Sequence, residues 1–280
     1  MVANVQERKS LEGRTLYFPQ MAYAGARLIA ATFRSAGIDA TVAPDSDGET
    51  LELGGLHSGG EECLPHKVTL GDFLKVCRAP GFDPQRTAFF MATAHGPCRF
   101  GQYAPYLRQV LDELGYSDVL VFSPTSGDGY GEITAGRPDL LISMWLAMVA
   151  GDLAQKFLFK TRPYETREGD SDENFTRAVK AFEDILARPD LSIKQRCKEM
   201  VAEVVRMRDR FRAIPARYEK GRPLIGLVGE IFCRLNTFSN DDIARRIERL
   251  GGECWISDIA EWVWYVNWYV ADKITRKKGR

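Results

Sequence analysis

The sequence passes from a strand-like segment directly into a helical segment in residues 87–114, TAFFMATAHGPCRFGQYAPYLRQVLDEL. Residues 87–91 form a short apolar run, whereas the apolar residues of 103–114 recur at helical spacing. Cys98 lies between the two, at the predicted start of the helix. Backbone N–H groups at a helix N-terminus favour the thiolate, which is the form of cysteine that binds metals.

A second cysteine stands before a helix in the same way. Cys63 precedes the helical stretch 68–77, and Pro65 suits the first turn of a helix because the N–H that it lacks has no intrahelical partner there. Two cysteines at helix starts in one compact domain predict a shared site.

Strand and helix patterns alternate around these cysteines. We predict strands at 15–19, 38–42, 87–91 and 119–123 and helices at 22–36, 68–77 and 103–114. Such alternation is typical of a parallel sheet with helices on both faces, in which ligands bind beyond the carboxyl ends of the strands. Cys98 falls at that edge, and the acidic, glycine-rich residues 44–62 predict a loop that brings Cys63 to it.

The whole chain predicts an α/β fold of two Rossmann-like lobes with parallel sheets, joined by a helical connector. At 280 residues it exceeds the usual length of one domain. The predicted parts are a polar N-terminal tail at 1–14, a first lobe at 15–135, the connector at 136–220 and a short or incomplete second lobe at 221–280. The second lobe is predicted to contain strands at 224–228 and 253–256 and helices at 241–250 and 259–274. The last of these helices has apolar residues around much of its circumference, so we expect part of it to be exposed.

Composition excludes several classes of partner. Lys plus Arg and Asp plus Glu both number 38, so we expect binding to neither nucleic acid nor a membrane surface. Residues 1–14 carry no secretory signal, and the longest apolar run, 140–149, is too short to span a bilayer. We therefore predict a cytoplasmic protein whose six cysteines serve as thiols or metal ligands rather than as disulfides.

Four stretches of the sequence carry a family resemblance. They are EECLPHKVTLGD at 61–72, GPCRFGQY at 96–103, GLVGEIFCRLNTFSN at 226–240 and GGECWISDIAEWVWYVNW at 251–268. Together they resemble the acyl-CoA dehydratase activase-related family, which is similar to the D-component subunits of 2-hydroxyacyl-CoA dehydratases. The resemblance spans residues 16–268 and implies an oxygen-sensitive [4Fe-4S] cluster held by cysteine thiolates. In the related dehydratases this cluster serves the radical removal of water from a 2-hydroxyacyl-CoA, which implies a dehydratase-type lyase or an ATP-coupled reductase component.

The resemblance and the positions at helix starts both point to Cys63 and Cys98 as the metal ligands. Cys233, which follows the predicted strand 224–228, is either a further ligand of the cofactor or a packing residue. The remaining cysteines are expected to be structural: Cys77, Cys197 and Cys254.

Three polar residues flank these cysteines. Arg99 and Gln102 lie in the first turn after Cys98 and are expected to hydrogen-bond either cluster sulfides or a substrate carbonyl. Glu230 is either a catalytic carboxylate or a capping partner, since a charge placed after an apolar strand is costly to bury unpaired.

A rival metal site uses two histidines. Cys63-x2-His66 and His95-x2-Cys98 are mirror-image pairs with metal-ligand spacing, and a Cys2His2 set holds structural zinc. Zinc is therefore the alternative cofactor, in a non-catalytic scaffold or partner module of a separate ATPase.

The chain carries no recognisable motif for binding the phosphates of ATP. Neither GxxxxGKS/T nor GxGxxG follows a predicted strand, and the glycine-rich residues 126–131 are a weak phosphate signal. In the family that the chain resembles, a separate ATP-hydrolysing activator protein delivers the electron. This chain is therefore expected to be the electron-accepting component, with an acyl-CoA or another small molecule as substrate.

The resemblance also implies a third thiolate. Related chains continue beyond the tryptophan-rich helix into a further α/β segment that carries another cysteine. Here the third thiolate is either replaced by Cys233 or missing, so we expect the chain to work beside the activator or a downstream subunit.

Overall fold

The computed structural model describes residues 11–94, 98–125, 131–134, 138–218 and 221–278. Its larger sheet has four parallel strands in the order β2-β1-β3-β4. They are β1 Thr15–Phe18, β2 Ala40–Val42, β3 Thr87–Phe90 and β4 Leu120–Phe122. The predicted α/β class with a parallel sheet is confirmed, and the sheet is compatible with a Rossmann-like fold.

Helices cover both faces of this sheet: α1 Tyr23–Ser35, α2 Gly48–Leu56, α3 Leu64–Arg78 and α4 Tyr103–Glu113. Phe89 of β3 points to one face and stacks on Phe73 of α3, with 4.3 Å between ring centroids. Phe90 points to the other face and packs against Phe33 of α1. Because side chains alternate along a strand, β3 anchors helices on both faces.

The prediction of a loop over residues 44–62 is wrong, because this segment contains α2. Its start is fixed by a capping box, in which the Asp47 carboxylate accepts the Thr50 N–H and the Thr50 hydroxyl accepts the Asp47 N–H, both at 3.0 Å. These two bonds satisfy backbone groups that a helix start leaves free.

Glycines in α2 and α3 let the two helices touch backbone to backbone. A Cβ built on Gly54 would overlap the Lys67 carbonyl, and one built on Gly71 would overlap the Thr50 carbonyl. The glycines that resemble a loop in the sequence therefore serve helix packing. This close packing fixes the position of α3, which begins next to Cys63.

The next described helices are α5 Gly131–Thr134, α6 Pro138–Thr161, α7 Asp170–Leu186 and α8 Ile193–Arg212. The helical spacing of the predicted connector is thus confirmed. Leu28 and Ala31 of α1 share one apolar core with α6, α7 and α8. The helical region therefore packs directly on the larger sheet's own helix.

One helical stretch among the described residues, Pro138–Tyr164, is long and apolar enough to cross a membrane. This holds by length and composition alone, and only the run 140–149 was considered from the sequence. Ala147, Ala150 and Ala154 of this stretch are buried in the core shared with α1. Packing inside the protein accounts for its apolar face.

A second, two-stranded sheet pairs β5 Leu224–Leu227 in parallel with β6 Glu253–Ile256. Its helices are α9 Ile231–Leu235, α10 Ile243–Arg249 and α11 Ile259–Lys278. The sequence analysis predicted both strands and the two longer helices but missed the short α9. One face of β6 is buried through Cys254 and Ile256, whereas β5 is largely exposed.

Helix α11 exposes an aromatic surface, which we define as its side chains with exposed fractions of 41 to 66%: Trp262, Trp264, Tyr265, Trp268 and Tyr269. The exposure predicted from the sequence is confirmed. Trp264 contacts Trp145 of α6 edge to face, and Asp152 of α6 accepts the N–H of Ala260 at 2.8 Å. Helix α11 is therefore attached to α6 mainly near its N-terminal end.

Candidate functional site

Cys63 lies directly before the first turn of α3 and is half-buried. Its carbonyl oxygen accepts the His66 N–H at 3.0 Å, and Pro65 occupies the first turn. The predicted position at a helix start is confirmed.

Cys98 is exposed and precedes a 3-10 turn, Arg99–Gln102, that runs into α4. Arg99 donates a hydrogen bond to the Glu61 carbonyl oxygen, which ties this turn to the segment before Cys63. The two cysteine-bearing segments, far apart in sequence, therefore meet. Gln102 is exposed beside them and makes no capping hydrogen bond from its side chain.

Cys233 lies in α9, beyond the end of β5, and is half-buried. The Glu230 carboxylate accepts the Cys233 N–H at 2.8 Å and so caps this helix. Burial, the hydrogen bond and charge of Glu230, and the charge of Cys63 raise the pKa of the Cys233 thiol to about 11.

Glu230 itself is exposed, so the cost of burying a charge does not arise there. The role of Glu230 in the structure is to cap the start of α9. Its charge also raises the pKa of the neighbouring Cys233 thiol.

Helix α9 is joined to the larger sheet by a buried side chain. Asn236, at the end of α9, donates a hydrogen bond of 2.9 Å to the Gln20 carbonyl oxygen and one of 3.4 Å to the Ser46 hydroxyl. A buried amide is costly without partners, so these bonds hold α9 in place. The position of Cys233 relative to the first two cysteines depends on them.

Tyr103 is the first residue of α4, and its ring contacts those of Phe100 and His66. Burial raises the pKa of its hydroxyl, and so do the charge of Cys63, a hydrogen bond with Cys63, and the charges of Glu230 and Cys98. One hydroxyl thus senses groups from three different parts of the chain. Tyr103 is the last residue of the octapeptide that carries Cys98 and was not singled out from the sequence.

His66 is buried, with 3% of its surface exposed, between two tyrosines. Its ring meets Tyr103 edge to face at 5.0 Å and Tyr106 at 4.7 Å. Neither ring nitrogen has a hydrogen-bond partner among the described residues, and burial lowers the pKa of the imidazole. His95, the other histidine of the zinc prediction, lies outside the described residues.

Within the described ranges, no group of three or more His, Cys, Asp or Glu side chains is arranged to hold a single metal ion. The thiols of Cys63, Cys98 and Cys233 come from three separate elements. An iron–sulfur cluster binds each thiolate through a different iron, so its ligands stand farther apart than those of one zinc ion.

The remaining three cysteines are Cys77, Cys197 and Cys254. Cys77 and Cys254 are buried, and burial raises the pKa of the Cys77 thiol to about 12 and that of Cys254 to about 11. Cys197 is half-buried in α8. The glycine-rich residues 126–130 lie outside the described residues.

Comparison of the chain with protein-family models, curated proteins and solved structures finds no match. The family resemblance of the four sequence stretches therefore stays a prediction.

Proposed function

We propose that this protein is an iron–sulfur protein, the electron-accepting component of a radical system similar to the 2-hydroxyacyl-CoA dehydratases. The observation that supports this most is the hydrogen bond from Arg99 to the Glu61 carbonyl oxygen, which brings the segments that carry Cys63 and Cys98 together. Cys233 is the third thiol of the proposal, and Asn236 ties its helix to Gln20 and Ser46. On this proposal the chain is related to the acyl-CoA dehydratase activase-related family.

In this proposal Cys63, Cys98 and Cys233 hold a [4Fe-4S] cluster. Three thiolates leave one iron open, and catalytic metal sites generally keep an open position. When bound, the cluster supplies one-electron transfer to a substrate. The exposed side of the site belongs to Cys98 and Glu230, and a small substrate such as an acyl-CoA would approach from there.

The same proposal includes a protein partner and a cytoplasmic location. The electron would come from an ATP-hydrolysing activator, since the sequence has no phosphate-binding motif of its own. The exposed aromatic surface of α11 supports docking of that activator or of a downstream subunit, because large exposed apolar patches mark interaction sites.

The test is the metal content of protein that has been purified without oxygen. We expect a brown protein with iron and acid-labile sulfide in equal amounts and a visible absorption that oxygen bleaches. Colourless protein that lacks iron and sulfide would contradict the proposal.

A zinc-stabilised scaffold is the second candidate function. The observation that favours it is His66, whose two ring nitrogens lack partners in the described part of the chain, three residues after Cys63. Stoichiometric zinc that is retained through dialysis, without iron, would support it.

A further inference from the structure

We propose that the outer edge of β5 pairs with the same edge of a second copy of this chain, the partner subunit, so that their two-stranded sheets join into one sheet. This edge lies outside the thiol site, and the pairing does not depend on a bound cluster. Strand β5 has a free backbone edge, an apolar sequence and a side-chain pattern that matches itself when the strand is reversed.

The backbone of β5 has one unpaired side. The Glu253 N–H donates to the Pro223 carbonyl oxygen, and β5 pairs in parallel with β6 from there on. Since backbone groups alternate in direction along a strand, the N–H and C=O groups of Leu224, Gly226 and Val228 point away from β6. Within the described part of the chain no further strand pairs with this side. Such an edge is a template for pairing with another chain.

The side chains along this edge are apolar and exposed. Leu224 is 61% exposed and Val228 is 79% exposed. Apart from its chain neighbours, no described atom lies within 4 Å of a Cβ built on Gly226. Residues 224–228, LIGLV, contain neither a charge nor a proline, which are devices that protect free strand edges in other proteins. The edge of β5 is therefore open to a second strand.

The sequence of β5 is nearly symmetrical about Gly226. A two-fold axis brings identical strands together antiparallel, and the outward backbone groups of Gly226 allow the axis to pass at this residue. Gly226 then exchanges two hydrogen bonds with Gly226 of the partner subunit, and Leu224 does so with Val228 of the partner subunit. On the other face, Ile225 lies opposite Leu227 of the partner subunit. Each apolar side chain of the strand therefore meets another apolar side chain.

The residues that flank β5 carry opposite charges. Arg222 precedes the strand and Glu230 follows it, each four positions from Gly226. In the proposed pairing Arg222 therefore lies on the side of Glu230 of the partner subunit, at both ends of the paired strands. Arg222 packs over the Tyr164 ring at 5.1 Å, but its Nε and Nη1 have no hydrogen-bond partner within the described residues. This charge complementarity favours a second copy of the chain as the occupant of the edge.

The dimer is expected to be weak. Stable interfaces bury about 800 Å² on each partner, and the edge of one short strand offers less than that. We expect a dissociation constant in the micromolar range, so that sedimentation velocity shows a shift from monomer to dimer as the concentration rises through that range. The measurement uses the full chain, prepared without oxygen.

A charge on the edge should prevent the pairing. Leu224→Lys places an ammonium group on β5, and Val201→Lys is the matched control because Val201 is 63% exposed on the distant helix α8. We expect Leu224→Lys to raise the dissociation constant at least about tenfold. Val201→Lys should keep the wild-type value. Melting temperatures show that both variants retain the fold.

A cysteine on the two-fold axis tests the register of the strands. Two residues that face each other across a hydrogen-bonded pair have Cα atoms about 5.5 Å apart, which suits a disulfide. Gly226→Cys would meet its own copy in this way, whereas Val228→Cys would lie about 14 Å from its copy at about 3.4 Å per residue. On treatment with oxidised glutathione in the absence of oxygen, Gly226→Cys should form covalent dimers. Val228→Cys should form no more of them than the wild type does.

Three outcomes would overturn the inference. A wild type that stays monomeric throughout the concentration series would leave the edge to a different protein. Equal cross-linking of Gly226→Cys and Val228→Cys would exclude the proposed register. A dimer that Leu224→Lys does not weaken would place the interface elsewhere, for example on the aromatic surface of α11. The proposed function is decided separately by metal content, so the two can fail independently.

Discussion

The replacement Gly71→Ala is expected to break the contact between α2 and α3 and to displace the start of α3 at Cys63. A methyl group on Gly71 would overlap the Thr50 carbonyl oxygen and lie 2.7 Å from its carbonyl carbon. Carbon atoms in optimal contact are about 3.5–4.0 Å apart, so α2 must move away by about 1 Å. Buried side chains at this contact then lose packing: Leu53, Leu70 and Leu74.

The expected cost follows from two opposing effects. Overpacking of a close contact costs up to about 3 kcal/mol, whereas alanine in place of a helical glycine gains about 1 kcal/mol. We therefore expect the free energy of unfolding to fall by about 2 kcal/mol. The displacement also strains the hydrogen bond of 2.7 Å from the Thr50 hydroxyl to the buried Asp72 carboxylate, which adds to the loss.

The assay is urea denaturation of Gly71→Ala beside Gly55→Ala. Apart from its own helix, no described atom lies within 4 Å of a Cβ built on Gly55, which is exposed in α2. Gly55→Ala should therefore stabilise the protein by about 0.5–1 kcal/mol. If Gly71→Ala is as stable as Gly55→Ala with the same m-value, the backbone contact between the helices is not as tight as described.

Three further predictions concern the thiols, a buried carboxylate and the aromatic surface. Cys63→Ser and Cys98→Ser should each lower the amount of bound iron far more than Cys197→Ser does. The iron content is measured by elemental analysis of protein purified without oxygen, and equal content in all three variants would contradict the ligand assignment. Burial raises the pKa of Asp152 from 3.8 to about 6, so the folded state binds the proton more tightly than the unfolded state. The stability of the wild type relative to Asp152→Asn should accordingly decrease as the pH rises from about 4 to about 6, by up to about 3 kcal/mol, and a pH-independent difference would contradict this. Trp268→Ser should change the free energy of unfolding by less than about 0.5 kcal/mol, because Trp268 is 62% exposed. Phe182→Ala should lower it by about 3–5 kcal/mol, because Phe182 is fully buried. A large loss with Trp268→Ser would mean that the aromatic surface of α11 is part of the core.

The strands and long helices could be predicted because each carries its own local pattern. Strand β6, for example, was predicted with its observed bounds, 253–256. Helix α2 was missed because its glycines are poor helix formers, and their purpose appears only when α3 lies against them. Local propensity gives no information about a partner that is far away in the sequence.

The positions of Cys63 and Cys98 at helix starts could likewise be predicted, since strand and helix patterns flank them. The bond from Arg99 to the Glu61 carbonyl could not, because it depends on how the two segments pack in space. Glu230 was expected to be either a catalytic carboxylate or a capping partner because its strand is apolar; β5 is exposed in a two-stranded sheet, and Glu230 caps α9.

The thiols of the candidate site belong to two different sheets. Cys63 and Cys98 precede helices that pack on the four-stranded sheet, whereas Cys233 follows a strand of the two-stranded sheet. Cys233 is 170 residues from Cys63 in sequence. Asn236 provides a direct hydrogen bond between these parts at the end of α9.

A cofactor bound by all three thiols would therefore act as a cross-link across the molecule. It would close a loop of 170 residues, and binding that occurs only in the folded state shifts the unfolding equilibrium towards the native protein. Binding of the cofactor would then make the two-stranded sheet more rigid, and loss of the cofactor would make it less rigid. Exposure to oxygen would loosen the architecture at the same time as it destroyed the redox centre.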